Sequence, residues 1–132
     1  MNLLGVYGEP SAALWLYALL GDREPQENIS HKRMPSWREH LAFVESEPYE
    51  YWALIENHGS VVGAIYLSKQ REIGIHLFKE ARGQGIGEQA IALLREQYPG
   101  PVLANVNVHN AGSIRFFERI GFVPLQVTLA TT

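Results

Sequence analysis

"KEARGQGIGEQAIALL", Lys79 to Leu94, sets Gly83, Gly85 and Gly87 on alternate positions immediately before an apolar-periodic stretch. The strand-like run "REIGIHLF" (71–78) precedes it. After it, Ile86, Ala90, Leu93 and Leu94 share one face of a helix expected from about Gly85 to Tyr98, where Pro99-Gly100 stops it. A strand, a glycine turn and a helix start leave backbone N–H groups pointing into one space, at the positive end of the helix dipole. Glycine admits positive φ and lets a phosphate approach the backbone, and Arg82 adds a cation able to bond it bidentately. The segment reads either as an anion cradle or as a plain tight turn. A P-loop is excluded because no Lys-Ser or Lys-Thr follows the glycines. A dinucleotide fingerprint is excluded because its third glycine would come one residue later than Gly87.

Working outward, the period of two extends upstream. "YEYWALIE" (49–56), "SVVGAIYL" (60–67) and "REIGIHLF" are separated by Asn57-His58-Gly59 and Ser68-Lys69-Gln70, turns that suit an antiparallel meander. Before the meander, Ser36 and Glu39 form a capping box opening a helix whose apolar stripe is Trp37, Leu41 and Val44, ended by Pro48. A first helix opens at Pro10 or Ser11, carries Leu14, Trp15, Tyr17, Ala18 and Leu19, and closes at Gly21 as a left-handed cap. The polar stretch from Asp22 to Pro35 is the longest irregular piece. Downstream, "PVLANVNV" (101–108) reads as a strand, and Asn110 caps a helix carrying Ile114, Phe117 and Ile120. A last strand runs from about Phe122 to Leu129. The order is ααβββαβαβ, with a short strand at Asn2 to Val6 as an addition.

The 132 residues fit one domain, 1–132, and 46% hydrophobic against 19% charged residues is an ordinary globular balance. A net charge of −3 supplies no overall attraction to nucleic acid or an anionic membrane. The absence of cysteine excludes disulfides, thiolate metal sites and a cysteine nucleophile. The apolar run Ala12 to Leu20 is far short of the roughly 20 residues of a membrane span, and no basic segment precedes it. A soluble cytoplasmic protein is the expectation. His40, His58 and His109 lack metal-ligand spacing, so no metal is assigned.

Arg82, Gly85 and Gly87 match the Arg/Gln-x-x-Gly-x-Gly/Ala signature of the GNAT superfamily of acyl-CoA-dependent N-acetyltransferases. About 23 residues on, "NAGSIRFFERIGF" (110–122) resembles the family's second hallmark, Asn-x-x-Ser/Ala-x-x-Phe/Leu-Tyr-x-x-x-Gly-Phe. The element order is similar too, so the resemblance spans essentially the whole chain. It is closest to compact GNATs of bacterial and phage origin through "ISH…MPSW…H", and more distant from those that acetylate amino sugars. The resemblance implies an α/β (α+β) fold with a mixed, mostly antiparallel twisted sheet, a V-shaped split between strands 4 and 5, and about four flanking helices.

The resemblance further implies that acetyl-CoA is the co-substrate. Its pyrophosphate would lie on Arg82, Gly83, Gln84, Gly85, Ile86 and Gly87. Its pantetheine would run in the split along His76, Leu77 and Phe78 towards Asn110 and Phe117. Gly74 would allow a bulge that opens the split, and the amide of Leu77 or His76 would face the thioester oxygen. Asn110 serves equally well as a plain helix cap.

Acetyl transfer to an amine needs a neutral amine, a stabilised oxyanion and a leaving thiol. The family's usual proton donor, a tyrosine, is replaced by Phe117. A thiol of ordinary pKa near 8.5 leaves tolerably as thiolate. The glutamate base of some relatives is replaced by Asn105, so Glu72 is the first candidate base, with His76 second on the same strand face. Ser30 and His31 on the early loop, with Tyr51 and Trp52, are the candidate acceptor-pocket residues. The expected function is transfer of an acetyl group from acetyl-CoA to a primary amine by direct attack, a small molecule such as an amino sugar being favoured. The rival is a non-catalytic acyl-CoA-binding sensor or scaffold. Membrane partners are not expected, nucleic acid is disfavoured, and a homodimer is compatible with the family.

Overall fold

In a computed structural model, which describes residues 1–22 and 33–132, five strands form one sheet in the order β1-β2-β3-β4-β5. These are β1 (Asn2–Gly5), β2 (Tyr51–Asn57), β3 (Ser60–Leu67), β4 (Glu72–Leu77) and β5 (Leu103–Ala104). The helices are α1 (Ala12–Gly21), α2 (Trp37–Glu45), α3 (Ile86–Gln97) and α4 (Ala111–Arg119), with a 3₁₀ turn at Lys79–Ala81. β1 to β4 pair antiparallel, and β4 pairs parallel with β5. Among the described residues, no helix is long and apolar enough to cross a membrane.

Alternation along β2 divides the core in two. Ala53 and Ile55 face α3 and α4, where Ile65, Leu67, Ile73, Ile86, Ala90, Leu94 and Phe117 join them. Trp52 and Leu54 face α1 and α2, against Leu16, Leu19 and Val44. α1 departs from expectation on two counts. It buries Ala12, Ala13, Leu16 and Leu19 and exposes Leu14 and Trp15, because a nearly continuous apolar run carries little information about its buried face. Gly21 is its last helical residue and not a left-handed cap; Asp22 caps it in right-handed geometry. The capping box opening α2 is present: Glu39 N–H donates to Ser36 Oγ at 3.1 Å, and Ser36 N–H donates to Glu39 Oε1 at 2.9 Å.

The C-terminal third is less regular than its sequence. Of the expected strand 101–108, only Leu103–Ala104 pairs. Arg71 explains where that pairing begins: its guanidinium donates to the carbonyls of Tyr98, Pro99 and Pro101, tying the end of α3 to the start of β4. The expected last strand from Phe122 to Leu129 is not formed. Phe122 packs on Phe117, and every residue from Val123 to Thr132 is exposed and outside regular structure. The alternation of Val123, Leu125, Val127 and Leu129 is real, but a strand needs a partner and the chain presents none there.

Candidate active site

The β4–β5 ladder ends at Ile73 opposite Ala104, while β4 continues to Leu77. Beyond Ala104 the two segments part, which is the expected V-shaped split. Gly74 does not create it through a bulge: β3 and β4 stay in register from Leu67–Ile73 to Gly63–Leu77 with no shift at Gly74. Its hydrogen makes room for Tyr66, since a Cβ there would lie 2.1 Å from that ring. Glycine is required because an aromatic ring crosses the strand.

Hydrogen-bond alternation decides which β4 amides face the split. Phe78 N–H donates to Val62, and Ser68 N–H donates to Glu72, so the even-numbered residues of β4 bond with β3. The odd-numbered main-chain groups turn to the other edge, where Arg71 accepts from Leu103 N–H and Leu77 accepts from Arg82 Nε at 3.3 Å. Ile75 and Leu77 therefore direct their N–H groups to the split, and His76 directs its own to β3.

At the end of β4 the chain makes the 3₁₀ turn and enters α3 through Gly83 (φ +76°) and Gly85 (φ +78°), each with nothing within 4 Å of a built Cβ. The two glycines hold left-handed backbone open to solvent at the N-terminus of a 12-residue helix. Gly87 differs: it is buried in the first turn, and a Cβ there would meet Phe116 of α4 at 3.0 Å. It sets helix contact, so only two of the three glycines shape the open turn. Ile86 is buried and Gln84 donates to Glu80 O, whereas Arg82 is exposed beside the turn.

A cleft of about 820 Å³ runs across the split to the α1–α2 face. One end is lined by Ile75, His76, Val106, Asn107, Asn110, Ser113 and Phe117. Asn110 caps α4, accepting from Ser113 N–H at 3.1 Å, so the cap reading holds and its other surface still lines the cleft. Phe117 is 9% exposed and packs between Phe116 and Phe122. Phe78 packs edge-on against Trp15, outside the cleft lining.

The other end carries Phe43, Tyr49, Trp52, Tyr66 and Glu72. Tyr49 stacks on Tyr66 with centroids 3.9 Å apart and a 4° interplanar angle, and Trp52 meets Tyr49 edge-on at 4.8 Å. Glu72 accepts a short hydrogen bond from Asn105 Nδ2 across the mouth of the split. A carboxylate from β4 and an amide from the strand opposite thus occupy one spot. Trp52 lies in this wall as expected. Tyr51 does not: it faces α3 and contacts Tyr98 at 5.3 Å, and burial pushes its phenol pKa up. Its neighbour's place on the opposite face follows from strand alternation. Ser30 and His31 lie outside the described residues.

At the rim, Arg33 and Glu39 pair at 3.3 Å. The Ser36 backbone N–H, and then Arg33, hold the Glu39 carboxyl down to about 2. His40 is 4% exposed, its Nε2–H donating to Ala13 O at 2.9 Å, and burial pushes its pKa below the usual imidazole value. Sequence reasoning missed Tyr49, Tyr66 and Phe43. A usable signal existed for Tyr66, because the meander register sets it opposite a strand glycine.

Among the described residues no cluster of three histidines or carboxylates could hold a metal. The sequence model of the acetyltransferase (GNAT) family matches residues 16–122. The chain belongs to that family. No curated protein sequence matches it. Its fold is similar to that of the ribosomal-protein-alanine N-acetyltransferase from Brucella melitensis (TM-score 0.70, 21% identity, covering 92% of this chain and 83% of that one). It is also similar to a putative acetyltransferase from Salmonella typhimurium solved with acetyl-CoA (0.70, 19%, 92% and 80%). A third likeness is to a spermidine N-acetyltransferase chimera from Vibrio cholerae and its human counterpart hSSAT (0.73, 16%, 96% and 84%).

Proposed function

We propose that this chain transfers an acetyl group from acetyl-CoA to the primary amine of a small-molecule acceptor, amino sugars among the candidates, by direct attack. The observation that carries the reading is the cleft itself. It joins an open glycine turn and parted strands at one end to a carboxylate on an aromatic wall at the other. The turn fits a pyrophosphate: Gly83 and Gly85 leave open the space that side chains would fill, at the positive end of α3. The edge of β4 beyond Ile73 fits an extended amide-bearing arm.

Acetyl-CoA supplies the acyl group as a thioester. The N–H groups of Ile75 and Leu77, which alternation turns to the split, donate to the carbonyl oxygen as it becomes an oxyanion. Of the two amides first considered, Leu77 is therefore preferred to His76. Glu72 lies three residues from Ile75, about 10 Å along the strand, so its carboxylate takes the ammonium proton through water and leaves a neutral amine. Asn105 holds that carboxylate in place, and His76, on the same face between Glu72 and the turn, is the second candidate base. The amine nitrogen bonds to the carbonyl carbon, the C–S bond breaks, and its electron pair leaves on sulfur. Phe117 gives no proton, so the thiolate departs as such and takes a proton from solvent.

The aromatic wall favours an acceptor that places an apolar or ring-bearing body beside its amine. Phe117 and Asn105, at positions where relatives carry ionisable groups, give the second reading its footing: an acyl-CoA-binding module without turnover. Free-thiol release against amino sugars, polyamines, arylalkylamines and peptides separates the two. Acceptor-dependent release supports transfer; tight acetyl-CoA binding with no release on any amine supports the binding module.

A further inference from the structure

The segment after α4 has the composition of a strand and the surroundings of a tail. Val123, Leu125, Val127 and Leu129 alternate with Pro124, Gln126 and Thr128, yet they are 73–90% exposed. No charged residue occurs from Val123 to Thr132. Exposed strand-like segments are ordinarily blunted by charge, and this one is not. A second incomplete feature lies in the same chain. β5 is the last strand of the sheet, its outer edge pairs with no strand among the described residues, and Leu103 and Val108 beside it are exposed. From Pro101 to Asn110 this segment also lacks Asp, Glu, Lys and Arg.

The two features match in length. Six extended residues from Leu103 to Val108 span about 20 Å, and the eight from Phe122 to Leu129 reach about 27 Å. They are not joined within one chain: Phe122 N–H donates to Phe117 O, its ring packs on Phe117, and the tail then leaves the body uncovered. β1, the other open edge, offers only four residues. We propose that residues 122–129 form an arm that adds as a strand to the outer edge of β5 in a second copy of this chain, each copy receiving the other's arm. Such an exchange is isologous and closes at two copies. It pairs backbone groups, buries both uncharged segments, and braces β5 beside Asn105 and Asn107, which line the cleft.

The chain has no cysteine, so cross-linking can be read without background. Analytical ultracentrifugation of the full chain at about 100 μM is expected to give the mass of two copies, and Leu125→Lys with Val127→Lys to halve it while far-UV circular dichroism is retained. A wild-type monomer, or a dimer surviving both lysines, overturns the proposal. Mixing Val127→Cys or Leu125→Cys chains with separately tagged Leu103→Cys or Ala104→Cys chains should yield a disulfide-linked heterodimer for at least one pair. Cross-links only to Leu4→Cys on β1, only between two arms, or only within one doubly substituted chain each overturn it.

Discussion

The two ends of the cleft are built from different material. The turn between β4 and α3 is made of backbone, from residues adjacent in sequence, and its geometry rests on Gly83 and Gly85. The acceptor end is made of side chains brought together from α2, the loop before β2, β3, β4 and the segment after β5. A main-chain site tolerates change in everything except the residues that permit its conformation. A side-chain site can be rebuilt residue by residue. One family can therefore keep a cofactor end and vary its acceptors, and the contrast is open to experiment.

The largest effect is expected where the ends meet. Glu72→Gln should lower kcat about 10²–10³-fold, the usual range for loss of a general base, while leaving acetyl-CoA affinity within about twofold. Unchanged turnover would falsify Glu72 as the base and move attention to His76→Gln. Next is the fold beneath the aromatic wall. Gly74→Ala puts a methyl group 2.1 Å from the Tyr66 ring and should cost about 2–3 kcal/mol in urea unfolding. Adding Tyr66→Ala should recover part of that loss, and no recovery would mean that the ring does not explain the glycine.

At the turn, Gly85→Val forces a β-branched residue to φ +78°. The expected cost is about 1–2 kcal/mol of stability and a roughly tenfold weaker acetyl-CoA complex, the same for every acceptor. Weakening that varies with the acceptor would break the separation between the two ends.

The smallest effect concerns pH. His40 is buried with its pKa lowered, so the unfolded chain binds its proton first as pH falls. Its contribution is complete above the ordinary imidazole value of about 6.5 and declines below it. Thermal melts from pH 7.5 to 5 should show falling Tm, with a shallower slope in His40→Gln. Glu39 acts in the same direction but later, as pH falls from about 4.5 towards 2, so the histidine window is clear of it.

How much was legible in the sequence follows the same division. Period, turn chemistry and capping are local, and they located the meander, the Ser36–Glu39 box, α3 and the Asn110 cap within a residue or two. The glycine signature marked the turn, although only the structure separated the open Gly83 and Gly85 from the packed Gly87. What required long-range information was not legible. The bond between Glu72 and Asn105 joins residues 33 apart, and Tyr49 reaches Tyr66 only through the β2–β3 register. Tyr51 was assigned to the wrong face because two adjacent aromatics on a strand point opposite ways. The stretch 122–129 reads as a strand by pattern, but pattern does not supply a partner.

The central claim is that the glycine turn and the split receive acetyl-CoA, and a thermal melt with and without it is the most direct test. At a hundredfold excess over the dissociation constant, binding adds about 2.7 kcal/mol, which for a chain of this size raises Tm by roughly 8–10 °C. That rise, abolished or much reduced in Gly85→Val, is the predicted result. An unchanged melting temperature at millimolar acetyl-CoA would contradict the account at its root.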